Sequence, residues 1–556
     1  MNQSQDSAIH PDKLNQALDL IDQYIEQRMR DGMGPGVALA LTDRQRLLAV
    51  RTYGLADVMT QKPVTPETLF QIGSISKPVT AAAFMRQREA GRLDLHAPVT
   101  DYLDWFRVQS AYDEPITVHH LLSHTAGIIN MNDTMPSSRS IVYKLCDTST
   151  GFAPGDHFWY SNVGYRALGY VLEEITGQSL AGAIRSGVLG PLGMADSEPI
   201  ITHDIRQRLA LGYSTTHCGD DRPAPANKSP FPTPWFEFDG ASGNVCCTPA
   251  DLATFLRMLL NRGQGDDGQF LSKESFDWMT QPVIQSEWDG FAHGYGLFTG
   301  EREEFDGHMI VQTGGEMIGY ETTMMGDMDD GVGVAVLVNS FYVPWGETHF
   351  AMRVLQALVR GDDLPELPVP KPPKTSVDNA AEYAGVYVAG DDDKSFELVA
   401  EQGQLVMLYG DEHVVLERWY PDVFYAPHPD FKLSILRFER AEGAVVEAIH
   451  GRDWYQGQGY DGPSEFDYVA QWDAYVGHYR TYSPWMSNFR FYVRKGQAYL
   501  QWWGSFEQPL TALDDGSFRV GWAEHSPERL RFDDFVDGQA LRADVSGGDY
   551  YRVDTP

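Results

Sequence analysis

The last third of the chain repeats itself, and no other feature of the sequence constrains the fold as strongly. Ala384-Gly385-Val386-Tyr387 follows Tyr383, and Val476-Gly477-His478-Tyr479 follows Tyr475, 92 positions later. Gly403-Gln404 returns as Gly496-Gln497 at an offset of 93, and Leu436-Arg437-Phe438 as Leu530-Arg531-Phe532 at 94. Asp453-Trp454-Tyr455 returns as Asp549-Tyr550-Tyr551 at 96. So slow a drift is what a duplicated module with small loop insertions leaves behind. Each copy is a series of short, alternating, aromatic-rich stretches broken by Gly and Asp turns, the pattern of a small β-barrel. The sequence predicts two lipocalin-like barrels, over 378–466 and 468–556.

Before the repeat, residues 364–374 read LPELPVPKPPK. Such a proline-rich run is extended and semi-rigid, so 364–377 is expected to be a linker and 1–363 a separate domain. In that domain Leu14, Leu18, Ile21, Tyr24 and Ile25 recur at helical spacing over 12–31, and GMGPG at 32–36 ends the helix. Val37–Leu41 and Leu47–Tyr53 read as strands. Helices are expected after Ser74, after Asn162 and after the cap Thr248-Pro249-Ala250-Asp251. Strands return at 308–313, 318–326 and 331–339, and a helix over 348–360 closes the unit. Strands at both ends of a helical middle predict an α+β fold, an antiparallel sheet flanked by helices with a helical subdomain.

Charge and cysteine usage narrow the function. The chain has 43 basic and 78 acidic residues, a formal net charge of −35. Such a surface repels phosphate backbones and anionic headgroups, so neither nucleic acid nor membrane is an expected partner. The four cysteines, Cys146, Cys218, Cys246 and Cys247, are too few for a disulfide framework and contain no C-x-x-C pair. No His/Cys cluster has zinc spacing and no phosphate-cradling loop occurs, so neither a metal nor an organic cofactor is expected. The N-terminus lacks a basic segment followed by an apolar one, and no apolar run approaches the ~20 residues of a membrane span. A cytoplasmic protein is the expectation.

Three motifs carry chemistry. The first is Ser74-Ile75-Ser76-Lys77. A serine hydroxyl is a weak nucleophile and needs a base. With Ser74 at a helix start, Lys77 lies one turn on along the same face. Desolvation would let that lysine lose its proton near neutral pH. The second is Tyr160-Ser161-Asn162. A phenol near a lysine ammonium can ionise and act as a base towards serine, while the Asn162 amide can hold Lys77 and bind a substrate carbonyl. The third is Thr313-Gly314-Gly315-Glu316. Paired glycines at a strand edge allow close backbone approach, and a backbone N–H there, with that of Ser74, would make an oxyanion hole.

In this order the three motifs resemble those of the serine β-lactamase and penicillin-recognising family. LLSHTAGI at 121–128, PGDHFWYSN at 154–162 and SGNVCCTPADLATFL at 242–256 look like family signatures too, so the resemblance spans nearly all of 12–360. It implies a site between sheet and helical subdomain, with an acyl-enzyme on Ser74. Lys77 and Tyr160 would be proton-transfer partners, with the choice of base open. Asn162, Thr313, Gly314 and Gly315 would orient substrate, and the N–H groups of Ser74 and Glu316 would form the oxyanion hole. The third motif departs from the family, in which Lys or His opens it. In the best register Thr313 stands there, and a one-residue slip would put Gln312 there. A cation at that position would hold a substrate carboxylate. Without one, esters, amides or free-amine peptides fit better than penicillins or peptidoglycan stems. His308, on the preceding strand, is a further candidate.

The catalytic unit with two barrels also resembles D-aminopeptidases in its order of domains. The expected substrate is a small ester, amide or short peptide. A carboxylesterase ranks first, a D-aminopeptidase or D-amino-acid amidase second, and a β-lactamase or D,D-carboxypeptidase third. The non-enzyme alternative is a degenerate scaffold or binding protein. Two stretches, 129–150 and 214–240 with Trp235, Phe236 and Phe238, are candidates to line the cleft.

Overall fold

The computed structural model describes residues 11–130, 137–214, 230–286, 291–369, 372–389, 394–483, 485–502 and 506–554. Parts of both cleft candidates, 131–136 and 215–229 with Cys218, lie outside the described residues. The chain forms two compact units that part between Pro368 and Val369.

The first unit is built on a nine-stranded antiparallel sheet. Its centre consists of β1 (Gly36–Asp43), β2 (Leu47–Asp57), β3 (Phe298–Arg302), β4 (His308–Met317), β5 (Tyr320–Asp327) and β6 (Val332–Val338). They lie in the order β3-β4-β5-β6-β1-β2, with two-residue strands at both edges. Helices α1 (Pro11–Arg30) and α5 (Trp345–Arg360) cover one face. Leu18, Ile21 and Ile25 of α1 and Phe350, Val354 and Leu355 of α5 bury themselves there against Val37, Leu39, Val334, Val336 and Val338. Each such side chain contributes about 1.5–3 kcal/mol of transfer free energy. On the other face α4 (Pro249–Leu260) packs Leu256 against Gly326 and Gly333. Covered on both faces, β6 is buried at every position, which is why it reads VGVAVLV without alternation.

Helix α2 (Ser76–Glu89) and helix α3 (Asn162–Thr176) supply the site. Ser74 is not in the first turn of α2, as the sequence suggests. It sits in a short 3-10 turn, Gly73–Ile75, that leads into the helix. The strand expected over 308–313 also runs on to Met317, so the paired glycines stand inside β4 and do not end it. Its partner therefore begins at Tyr320, after a two-residue turn.

The second unit contains two barrels in succession. The first is a nine-stranded sheet whose edge strands, Glu412–Val415 and Glu417–Tyr420, are consecutive in the chain, so it curls almost closed. In the second, an eight-stranded barrel, Gly548–Val553 pairs back with Gly477–Arg480 and closes the ring. The repeat extends to ring geometry. Tyr387 stacks on Phe396 at 5.2 Å and 14°, and Tyr479 on Phe489 at 5.2 Å and 13°. Tyr455 meets Phe396 edge-on at 66°, as Tyr550 meets Phe489. The structural counterpart of Tyr455 is thus Tyr550. The offset of 96 read from the sequence selects Tyr551, which alternation turns outward and leaves 53% exposed.

Candidate active site

Ser74 stands where the 3-10 turn meets the edge of β4. Strand β3 pairs with β4 only between His308 and Gln312, so Thr313–Met317 present a free edge to that turn. The two backbones nearly touch. A Cβ on Gly315 would lie 1.9 Å from Ile72 O and 2.8 Å from Ser74 N, and one on Gly73, whose φ is +51°, would lie 2.6 Å from Glu316 N. Only glycine fits either position. The result is that the N–H groups of Ser74 and Glu316 come from two abutting segments, as an oxyanion hole requires.

Strand alternation fixes the register of the third motif. Thr313 shares a face with Gly315, towards Ser74. Gln312 shares the opposite face with Gly314, whose Cβ would meet Trp345. Thr313, and not Gln312, is on the Ser74 side. It is buried and brings no cation. Opposite each other on β4 and β5 stand Glu316 and Glu321. Burial, then repulsion by Glu316, pushes the Glu321 carboxyl up to about 9.

Lys77, on the first turn of α2, is 1% exposed. Its Nζ lies 3.0 Å from Ser74 Oγ, 2.8 Å from Asn162 Oδ1 and 2.9 Å from the carbonyl of Ser242. Burial, then the charge of Arg166, pulls its pKa well below the ordinary lysine value. The hydroxyl of Tyr160 donates to Ser74 Oγ at 2.7 Å. Burial pushes the phenol well above its ordinary value. The Ser74 contact opposes this and Glu316 adds to it, so the structure favours a protonated phenol over the ionised one considered from sequence.

Ser161 caps α3, accepting from Gly164 N at 3.0 Å, which sets Asn162 at the helix start facing Lys77. Two neighbours of this cluster carried no role in the sequence reading. Asn130 Oδ1 accepts from both Asn162 Nδ2, at 3.0 Å, and Asn162 N, at 3.2 Å. That fixes the amide with its oxygen towards Lys77. His124 packs behind Tyr160, with ring centroids 4.4 Å apart. Their only sequence signals are the stretch LLSHTAGI, which contains His124, and the cleft candidate 129–150, which contains Asn130.

Ser74, Lys77, Tyr160, Asn162, Thr313, Gly315 and Glu316 thus converge, while Gly314 turns to the far face. His308 does not join them. At the other end of β4 its Nδ1 lies 2.8 Å from Asp327 Oδ2. Among the described residues, His308, Asp327 and Asp330 form one trio with metal-ligand spacing. Arg360, 2.7 Å from Asp330, already supplies a cation there. Cys246 and Cys247 are buried in a two-stranded pairing with Phe70 and Gln71. Among the described residues no helix is long and apolar enough to cross a membrane.

The chain is similar to known proteins over the same region. Residues 21–358 match the family model described as Beta-lactamase. Penicillin-binding protein 4 of Amycolatopsis lactamdurans is 30% identical over 370 residues, 64% of this chain and 93% of that protein. Esterase EstB of Burkholderia gladioli is 34% identical over 223 residues, 36% of this chain and 55% of that protein. Among solved structures, the octameric penicillin-binding protein homologue from Pyrococcus abyssi superposes with a TM-score of 0.57 at 24% identity. The match covers 79% of this chain and 99% of that one, and it bears on the fold alone.

Proposed function

The chain belongs to the β-lactamase family of serine hydrolases, and on that premise we propose that it hydrolyses small esters or amides through an acyl-enzyme on Ser74, with the substrate range of a carboxylesterase. One observation carries the proposal. Of the three hydrogen-bond partners of Lys77 Nζ among the described residues, two can only accept, Asn162 Oδ1 and the Ser242 carbonyl. A neutral amine has two N–H groups and one lone pair. The two acceptors take both N–H groups, so the lone pair falls towards Ser74 Oγ. Burial favours that neutral form.

Lys77 is therefore the base. As Ser74 attacks the carbonyl, its proton passes to Lys77 Nζ. The oxyanion forms against the N–H groups of Ser74 and Glu316, and each such donor is worth about 10²–10³ in rate. Tyr160, which keeps its proton, delivers it to the leaving alcohol or amine and is replenished from Lys77. Water then resolves the acyl-enzyme by the reverse sequence. The similarity to an esterase supports the ester reading.

A D-aminopeptidase or D-amino-acid amidase is the second reading, favoured by the electrostatics of β4. Thr313 offers a substrate carboxylate no positive charge, whereas Glu316 lies within electrostatic reach of Tyr160 and, in the ionised form that burial opposes, would favour a substrate ammonium. The same lack of a cation weighs against β-lactamase and D,D-carboxypeptidase activity.

The test compares p-nitrophenyl acetate, D-alanine p-nitroanilide and a chromogenic cephalosporin on the wild type and Ser74→Ala. Ester turnover lost in the variant supports the proposal. Turnover of the anilide alone moves the substrate to aminoacyl amides. Undiminished turnover in the Ser74→Ala protein refutes the mechanism.

A further inference from the structure

We propose that His124 is a positioning residue for Tyr160, which it grips through the main chain on both flanks and through the ring behind. The inference rests on the reading of Ser74, Lys77 and Tyr160 given above. The His124 carbonyl accepts from Trp159 N at 2.8 Å, and its Nδ1 accepts from Ser161 N at 3.0 Å. These donors immediately precede and follow Tyr160. Between them the imidazole lies against the Tyr160 ring, centroids 4.4 Å apart and planes 28° from parallel. The imidazole also meets Tyr165 at 5.0 Å, and that ring is anchored by a bond from its hydroxyl to Leu122 O at 2.8 Å. Tyr160 is thereby held in the two directions that set the 2.7 Å contact with Ser74.

The choice of histidine is not one that packing would make. The side chain is 2% exposed, its φ is +59°, and Nε2 has no hydrogen-bond partner among the described residues. Because Nδ1 accepts, Nε2 carries the proton, so a buried N–H goes unbonded. A leucine or phenylalanine would avoid that cost but could not accept from Ser161. Protonating Nδ1 would turn the acceptor into a donor facing Ser161 N–H, so the clamp works only as the neutral ring in one tautomer. Burial, then Lys77 and His293, also opposes protonation. Displacing a reacting group by about 1 Å costs on the order of 10² in rate, and this clamp restrains such a displacement.

Three variants separate acceptor from ring. His124→Asn keeps an acceptor where Nδ1 stood and tolerates the left-handed backbone. His124→Phe keeps a flat ring but offers Ser161 no acceptor, and His124→Gln sets its amide one bond too far out. With p-nitrophenyl acetate, kcat should fall about 30- to 100-fold in the Phe and Gln variants with KM within about twofold. The Asn variant should recover to within about fivefold of wild type. Should the Phe protein not fold, the order of Asn over Gln decides. Equal kcat in Asn and Gln, or a folded Phe variant within twofold of wild type, overturns the proposal. Labelling of the wild type by diisopropyl fluorophosphate, located by mass spectrometry, tests the underlying site independently. Label absent from Ser74 sinks the catalytic reading, whereas label at Ser74 with an unaffected Phe variant sinks only the role of His124.

Discussion

Tyr160 donates a hydrogen bond to Ser74 Oγ across 86 positions of sequence, at 2.7 Å. Its direction matters. A serine oxygen that accepts from the phenol is free to send its own proton elsewhere, and the amine of Lys77 stands 3.0 Å away. In the proposed mechanism the two partners divide the work, one giving a proton and the other taking one.

The first prediction concerns pH. Burial, then Arg166, holds Lys77 well below the ordinary lysine range, so the proposed base is lost as falling pH protonates it. The acid limb of kcat/KM should follow one proton. Arg166→Gln removes the second cause and should move that limb to higher pH. A pH–rate profile of this variant superposable on that of wild type would refute the assignment of Lys77 as base.

The second concerns backbone approach. Gly315→Ala places a Cβ 1.9 Å from Ile72 O, which forces β4 away from the Ser74 turn and opens the oxyanion hole. The expected loss in kcat is about 10²–10³-fold, with a lower Tm. Gly314→Ala meets Trp345 at 3.4 Å and Thr322 O at 3.7 Å, both ordinary contacts, and should lose far less. Similar losses at both positions, measured side by side, would show that the glycines matter for strand stability alone.

Much of this was legible in sequence because local spacing carries it. Ser74 and Lys77 lie one turn apart, Ser161 and Thr248 cap their helices, and the barrel repeat announces itself in aromatic residues. What was hidden depends on contacts between distant segments. Gly314-Gly315 reads as the end of a strand because glycine usually marks turns. Here Gly315 answers to the Ile72–Ser74 backbone, which no local pattern reveals. The same holds for Gly73 against Glu316, and for Asn130, which matters only because the fold sets Asn162 beside it. His308 shows the reverse failure. A histidine near a motif in sequence proved to be bound to Asp327 at the far end of the strand.

The third prediction follows from Asn130. Its Oδ1 takes both N–H groups on the near side of Asn162 and so keeps the amide oxygen towards Lys77. Asn130→Leu frees the amide to flip and confront Lys77 with N–H groups, and kcat should fall about 10-fold or more. Asn130→Asp keeps the acceptor and should stay within about threefold. Steady-state kinetics giving equal losses in Leu and Asp variants would reject this role.

The fourth concerns the barrels. The Glu507 side chain of the second barrel is 7% exposed and receives Arg494 of the same barrel at 3.0 Å and Arg437 of the first. Burial alone would raise its pKa, but the hydrogen bond and charge of Arg494, then the charge of Arg437, outweigh it and leave the carboxyl below its ordinary value. A carboxyl whose folded pKa is depressed adds stability that is fully present above the unfolded value, about 4.3. That stability is lost as pH falls through the folded value. Glu507→Gln leaves the Arg494 guanidinium buried without its counter-charge, a defect that costs about 3–5 kcal/mol. At pH 7 the barrel transition of the variant should therefore melt well below that of wild type. At pH 3, below the unfolded value, protonation of the unfolded chain already removes part of that stability, and the gap should narrow. Calorimetry on the full chain at both pH values reads this directly. A gap that stays constant between pH 7 and pH 3 would mean that the carboxylate charge does not hold the two barrels together.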